Sequence, residues 1–419
     1  MREVDLSFLC ELARNSDYPL VQHELESLQN NQQLLRRSTA IVILLGGKAG
    51  RLGECVVGTA LLEGTLRLLR VLNKEGISVQ IMIDQRSLDL FQEENYQQAY
   101  WPEISLQGME APLDPRSILS LLTSLHDNAH LLVLDFHGAH DGMPYYAHKQ
   151  TDHGSIDILG NLFRVGVRNY SQRGPEHRYA AFLADLFALK ELSMDSTTIQ
   201  PHLRLTIEDE QQLKAYPLDP AAITIICFFQ SVVLAKCYEL WDEVMQLLCE
   251  HIAREQPGQK LEFVIACGPD EGLPDGFKKS DIADWLQDFT GVADNARVKI
   301  YSTATLRDLA VLTSHATLAL SDDTGPGHIA GALGIPVIIP FLPGNVYAKD
   351  IWSSTLYHHG ITIVPNPYST QQIEAAVIWG HTDIIDSIPP AELYKTAIPH
   401  LQKNHTRQQP ANQTLRISL

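Results

Sequence analysis

The chain has 419 residues, 45% hydrophobic and 20% charged, a balance that builds packed cores and excludes a disordered chain. That length exceeds one ordinary core and suffices for two. Its 32 Lys and Arg against 50 Asp and Glu leave a net charge of −18, which argues against nucleic acid and anionic lipid surfaces as partners.

No run of about 18 apolar residues occurs, so no transmembrane segment is expected. The start, MREVDLSFLCELARNSDYPL, lacks a basic-then-apolar leader pattern and reads as cytoplasmic. Cys10, Cys55, Cys227, Cys237, Cys249 and Cys267 are scattered without CxxC spacing, as buried thiols in a reducing compartment are. His137, His140, His148 and His153 lie close together but lack a metal-ligand spacing such as HExxH, so no metal site is assigned.

In chain order, residues 1–36 read as a helical extension, with Asp17 as an N-cap and Pro19 in a first turn. The run 40–45 (AIVILL) is continuous, apolar and rich in β-branched residues, as in a strand buried on both faces of a parallel sheet. It enters the glycine-rich stretch 46–53 (GGKAGRLG), then a helical pattern over 54–73 and a strand at 77–83. That is the opening of a doubly wound sheet. A further strand is expected at 131–136, followed by His137-Gly138. The mixed pattern of 155–220, with Pro201, Pro217 and Pro220, marks the interdomain region.

A second alternating series follows. Strands are expected at 223–229, 261–266, 298–301, 316–320 and 336–340, and helices at 237–254, 282–289, 306–314 and 325–333. The fold class is therefore α/β, with Rossmann-like domains at 37–215 and 216–390 and a polar tail from 391.

The most informative segment is LSDDTGPGHIAGALGIP, residues 320–336. A strand ends in acids, a turn of small residues follows, and a helix begins at once. Such a turn leaves backbone N–H groups unpaired with the positive end of a helix dipole behind them, an arrangement suited to a diphosphate. Thr324 adds a hydroxyl, and Gly325 and Gly327 let oxygen atoms approach the backbone. The alternative is that Asp323 and Thr324 merely cap a core helix.

Residues 323–336 resemble the D-[ST]-G-x-x-H-x-A-A-A-x-G-x-P signature of glycosyltransferase family 9, the lipopolysaccharide heptosyltransferases. Lys236-Cys237-Tyr238 with Trp241 resembles the family's K-x-W-P segment, and Gly268-Pro269-Asp270-Glu271 its G-x-x-E turn. Leu52-Gly53-Glu54, followed by Val56-Val57, resembles its x-G-D-V loop. The specific match covers 223–345. The resemblance implies a GT-B fold, with two Rossmann-like parallel-sheet domains facing a cleft, acceptor on the N-terminal side and nucleotide sugar on the C-terminal side.

It further implies that Lys236 neutralises a diphosphate leaving group, that Asp323, Thr324, Gly325, Pro326 and Gly327 form its cradle, that Glu271 takes the ribose hydroxyls, and that His328 sits behind the turn. The donor implied is ADP-linked and heptose-like, with inversion, no cofactor and no metal. The family's general base is an aspartate, and Glu54 stands in its place; Asp141 and His140 are reserve candidates.

Two other readings compete. The stretch 45–53 also resembles the GGxxxRxG loop of sugar nucleotidylyltransferases, although Glu54-Cys55-Val56-Val57 follows where those enzymes place a lysine. It is not a P-loop, because no Gly-Lys-Ser/Thr closes it. The Asp-to-Glu change at 54 favours a catalytically degenerate nucleotide-binding scaffold. The acidic charge points to a soluble small-molecule, saccharide or protein acceptor.

Overall fold

The computed structural model describes residues 31–47, 52–72, 74–109, 130–138, 145–151, 154–160, 162, 182–183, 186–187, 199–229, 231, 233–267, 295–342, 360–363, 365 and 369–401. The first sheet comprises β1 (Ala40–Gly47), β2 (Ser78–Asp84), β3 (Ile104–Met109), β4 (His130–Gly138), β5 (Tyr145–Thr151) and β6 (Gly154–Gly160), in the order β3-β2-β1-β4-β6-β5. All pairings are parallel except the β5–β6 pair. β1 is central. Its Ile41, Ile43 and Leu45 enter one core, while Val42 and Leu44 join Met82, Leu131, Val133, Ile156 and Ile158 in a separate cluster. Two covered faces are why β1 shows no polar alternation.

Helix α1 (Asn31–Arg37) precedes β1, and α2 (Leu52–Val71) follows it. Val56, Val57, Ala60, Leu61, Leu62, Leu66, Leu68 and Leu69 of α2 are all buried. A helix apolar around most of its circumference belongs in an interior. Here the connecting segment covers its outer side: His202 N donates to Thr59 Oγ1 (2.9 Å), and Arg204 grips the buried Glu63 carboxylate at 2.9 and 2.8 Å.

The hairpin β5–β6 falls partly where the sequence reads as interdomain chain. β5 forms the sheet edge, and the buried Asp157 of β6 gathers Arg37 Nη2 (2.6 Å), Tyr146 OH (2.7 Å) and His148 Nδ1 (2.8 Å). Burial alone would raise that carboxyl, but these donors outweigh it and hold it below the usual range. The edge strand β3 was likewise not legible in the sequence pattern. After β2 come a 3-10 turn (Gln85–Leu90) and α3 (Glu93–Ala99), and α4 (Ile207–Gln212) lies in the segment joining the two sheets.

The second sheet is wholly parallel, in the order β12-β11-β10-β7-β8-β9, with β7 (Ile223–Phe228), β8 (Leu261–Cys267), β9 (Ala296–Ser302), β10 (Leu318–Ser321), β11 (Val337–Pro340) and β12 (Gly360–Ile363). Around it lie α5 (Trp241–Glu255), α6 (Leu306–Ser314), α7 (Gly325–Ala332), α8 (Thr370–Trp379) and α9 (Pro390–Ala397). Leu393 and Ala397 of α9, with Leu401, pack into the core built around Trp241, so the packed structure continues past residue 390.

The other face of this sheet shares a core with the first. Val264, Leu309, Leu312, Ile329 and Ile339 form one apolar cluster with Leu45, Val57 and Leu61. A polar clamp reinforces the contact. Arg307 of α6, itself buried, donates to Asp209 of α4 (3.0 and 2.5 Å) and to Leu90 O (2.7 Å). Leu306 N donates to Asp89 Oδ2 at 2.8 Å.

Candidate functional site

A doubly wound parallel sheet opens a crevice at the carboxyl ends of the two strands where the winding reverses. In the second sheet those strands are β7 and β10, which pair with Ser321 opposite Phe228. Asp322 N continues the pairing onto Phe228 O at 2.9 Å. Asp323 and Thr324 then form the turn that starts α7. The motif therefore stands at the switch point.

Thr324 occupies the N-cap position with extended backbone (φ −139°, ψ 165°), yet its side chain makes no capping bond. Its Oγ1 is buried and without a hydrogen-bond partner among the described residues. That departs from the plain capping reading. By contrast, Thr305 at the start of α6 accepts from Asp308 N at 3.0 Å. Pro326 lies in the first turn of α7, where a missing N–H costs nothing.

Lys236 ends a 3-10 turn (Leu234–Lys236), and its Nζ lies 2.5 Å from Asp323 Oδ2. The helix read over 237–254 starts only at Trp241, so Lys236 does not stand at a helix N-terminus. Asp323, rather than a dipole, balances its charge. The physical reason is Asp322, which the sequence reading passed over. Its buried carboxylate accepts from Tyr238 N (3.2 Å) and Trp241 Nε1 (2.9 Å), drawing the chain between Lys236 and α5 into an irregular course. Burial pushes its carboxyl up to about 8, although both donors lower it. Its signal in the sequence was the doubled acid of Asp322-Asp323.

The first turn of α2 packs directly on the first turn of α7. A Cβ at Gly53 would lie 2.7 Å from His328 Cδ2, and one at Gly325 would lie 2.9 Å from Leu52 Cβ. At Gly327 it would meet Ser321 Oγ at 2.5 Å. The openness expected at Gly325 and Gly327 is thus taken up by Leu52 and Ser321, and these glycines serve close packing. Glu54, in the first turn of α2, is buried beside this contact. Two helix N-termini, each a partial positive charge, converge there with the carboxylates Glu54 and Asp323. The buried His328 ring is neutral: desolvation lowers its pKa to about 4, with Lys236 acting the same way and Asp323 opposing.

In the first sheet, the switch point lies between β1 and β4, where Gly46 pairs with His137 and Gly47 with Gly138. The motifs read at 46–47 and 137–138 are thus brought side by side. His140, Asp141, Glu271 and the loop residues 48–51 lie outside the described residues.

With this geometry, residues 159–346 match the model of glycosyltransferase family 9 (heptosyltransferase). That segment, a little under half of the chain, is similar to the heptosyltransferases of that family. A family 9 glycosyl transferase from Veillonella parvula superposes with a TM-score of 0.53 at 16% identity, covering 87% of this chain and 98% of that one. This likeness concerns the two-domain GT-B fold. ADP-heptose lps heptosyltransferase II of E. coli follows at 0.49 and 14% identity, covering 86% and 98%. The E. coli heptosyltransferase WaaC with ADP gives 0.48 and 11% identity, covering 86% and 99%. No curated protein matches the chain. Among the described residues no helix is long and apolar enough to cross a membrane, and no three His, Cys, Asp or Glu side chains group as metal ligands do.

Proposed function

We propose that this glycosyltransferase moves a heptose-like sugar from an ADP-linked donor to an acceptor hydroxyl, with inversion and without a metal. The observation that carries the reading is the buried, unpartnered Thr324 hydroxyl at the N-terminus of α7, with Lys236 beside it on Asp323. A hydroxyl buried without a partner is costly unless a ligand completes it. The donor's diphosphate supplies acceptors for Thr324, for the first N–H groups of α7 and for Lys236. Lys236 leaves Asp323 or shares it with the phosphate as negative charge grows on the departing oxygen.

Chemically, the acceptor oxygen bonds to the anomeric carbon as the bond from that carbon to the diphosphate oxygen breaks. The acceptor proton passes to Glu54, whose carboxylate enters from the facing domain. Attack opposite to the leaving group inverts the anomeric centre. Lysine and helix N-terminus together supply the charge stabilisation that a divalent cation supplies elsewhere. The acceptor is a soluble saccharide, small molecule or protein, in keeping with the net charge of −18.

The test is calorimetric titration with ADP, UDP and GDP in the presence of a chelator. Tight binding of ADP alone, lost in Thr324→Val with Lys236→Ala, is expected, and Glu54→Gln should retain that binding while losing transfer. A second reading has its own observation. Leu52 and His328 fill the space over Gly325 and Gly53, and Glu54 is buried, as in a nucleotide-binding scaffold without turnover. Nucleotide binding with no transfer from any ADP sugar, in wild type as in Glu54→Gln, would establish that reading.

A further inference from the structure

We propose that His328 is a positioning residue, a neutral spacer whose ring seats on Gly53 and fixes the distance between the Glu54 carboxylate and the donor turn. The inference rests on the glycosyltransferase reading for its functional consequence, but its geometry is independent of it.

Gly53 immediately precedes Glu54 and carries no side chain where the ring of His328 lies. A methyl group there would stand 2.7 Å from Cδ2 and 3.2 Å from Nε2, nearer than such atoms approach. His328 belongs to α7, the helix whose N-terminus makes the donor turn, and Glu54 belongs to the first turn of α2. The contact therefore joins the two candidate halves of the reaction through one ring and one backbone. A second contact beside it, Leu52 on Gly325, has the same character.

The opposite end of α7 is linked to α2 through the connecting segment. Leu203 N donates to Ala332 O at 3.2 Å, and neighbouring Arg204 holds Glu63 of α2. Farther out, Arg307 and Asp209 clamp the domains. With α7 held at both ends against α2, the thickness of the imidazole sets the gap at the reacting end. A cation in this place would add charge beside Lys236; burial at 4% exposure keeps the ring uncharged. The proposal concerns the space the ring fills against Gly53.

The experiment compares Gly53→Ala, His328→Ala and the double variant by kcat, donor affinity and melting temperature. Gly53→Ala should lower kcat about 10- to 100-fold, since small displacements of reacting groups cost that much. Calorimetric affinity for ADP should stay within about twofold, because the donor turn itself is untouched. His328→Ala should also lower kcat with ADP affinity retained. In the double variant the methyl enters the vacated space, so the penalties of Gly53→Ala in kcat and in melting temperature should largely disappear.

Additive effects in the double variant would overturn the proposal, as would loss of ADP affinity in His328→Ala equal to the loss of kcat, which would make the histidine a donor ligand. Should wild type transfer no sugar, the glycosyltransferase reading fails. The interlock then stands or falls on the melting temperatures alone: recovery in the double variant supports it, and additivity overturns it.

Discussion

Removing the arginine of the interdomain clamp probes how the two sheets are held. Arg307 and Asp209 are buried to 6% and 2% side-chain exposure and joined by two hydrogen bonds, with a third from the guanidinium to Leu90 O. Arg307→Ala leaves a buried carboxylate that retains, among the described residues, Thr206 N (2.5 Å), Thr206 Oγ1 (2.9 Å) and Gln92 Nε2 (3.4 Å). Breaking a buried pair from one side costs about 3–5 kcal/mol, and those remaining donors place this site near the lower end. Replacing both partners with apolar residues, as in Arg307→Met with Asp209→Leu, should recover most of the loss, since no charge is then stranded.

The effect should also depend on pH. Burial would raise the Asp209 carboxyl, but Arg307 and Thr206 outweigh it and hold it below its ordinary value. A depressed folded-state value contributes stability above the unfolded value of about 3.9 that is lost as pH falls through the folded one. The gap between wild type and Arg307→Ala should therefore be full at neutral pH and narrow in acid. Equilibrium urea unfolding at neutral and acid pH measures it. A loss below about 1 kcal/mol at neutral pH, the range of exposed pairs, would refute the assignment of this pair as a buried clamp.

Three further outcomes are expected. Asp322→Asn keeps the acceptor oxygen for Trp241 and Tyr238 but removes an ionisation that burial displaces to about 8. A raised folded-state value gives stability present below the unfolded value and lost as pH rises through the folded one, so wild type should weaken between about pH 4 and 8 and the variant should not; parallel melting profiles would contradict this. Gly327→Ala sets a methyl 2.5 Å from Ser321 Oγ and should cost about 1–3 kcal/mol in denaturant unfolding, largely recovered by adding Ser321→Ala. Thr324→Val should leave the melting temperature unchanged or raised because its hydroxyl has no partner among the described residues, whereas Thr305→Val removes a true cap worth about 1 kcal/mol; equal losses at both would show that Thr324 does cap α7.

Much of the structure around the candidate turn was legible because it is local in sequence. The run 318–332 carries strand end, acids, turn glycines and helix within one stretch, and α6 occupies the very residues its periodicity indicates. Lys236 was singled out in the sequence, but its setting was misread. Periodicity extends the helix to 237, while Asp322, distant in sequence, claims Tyr238 N and Trp241 Nε1 and leaves the turn non-helical. In the hairpin, β5 is a polar edge strand and the buried Ser155 and Asp157 break the apolar run of β6, so neither strand shows a continuous apolar pattern.

By itself, the sequence determined that this chain has two wound parallel sheets and a strand–turn–helix of small residues at 318–332, because a strand buried on both faces and a small-residue turn each leave a contiguous signature. Only the tertiary structure decided what those glycines are for. Gly53 against His328 and Gly325 against Leu52 are contacts between residues some 270 positions apart. Backbone approach of that kind depends on how two domains meet, and no local pattern of residues encodes it.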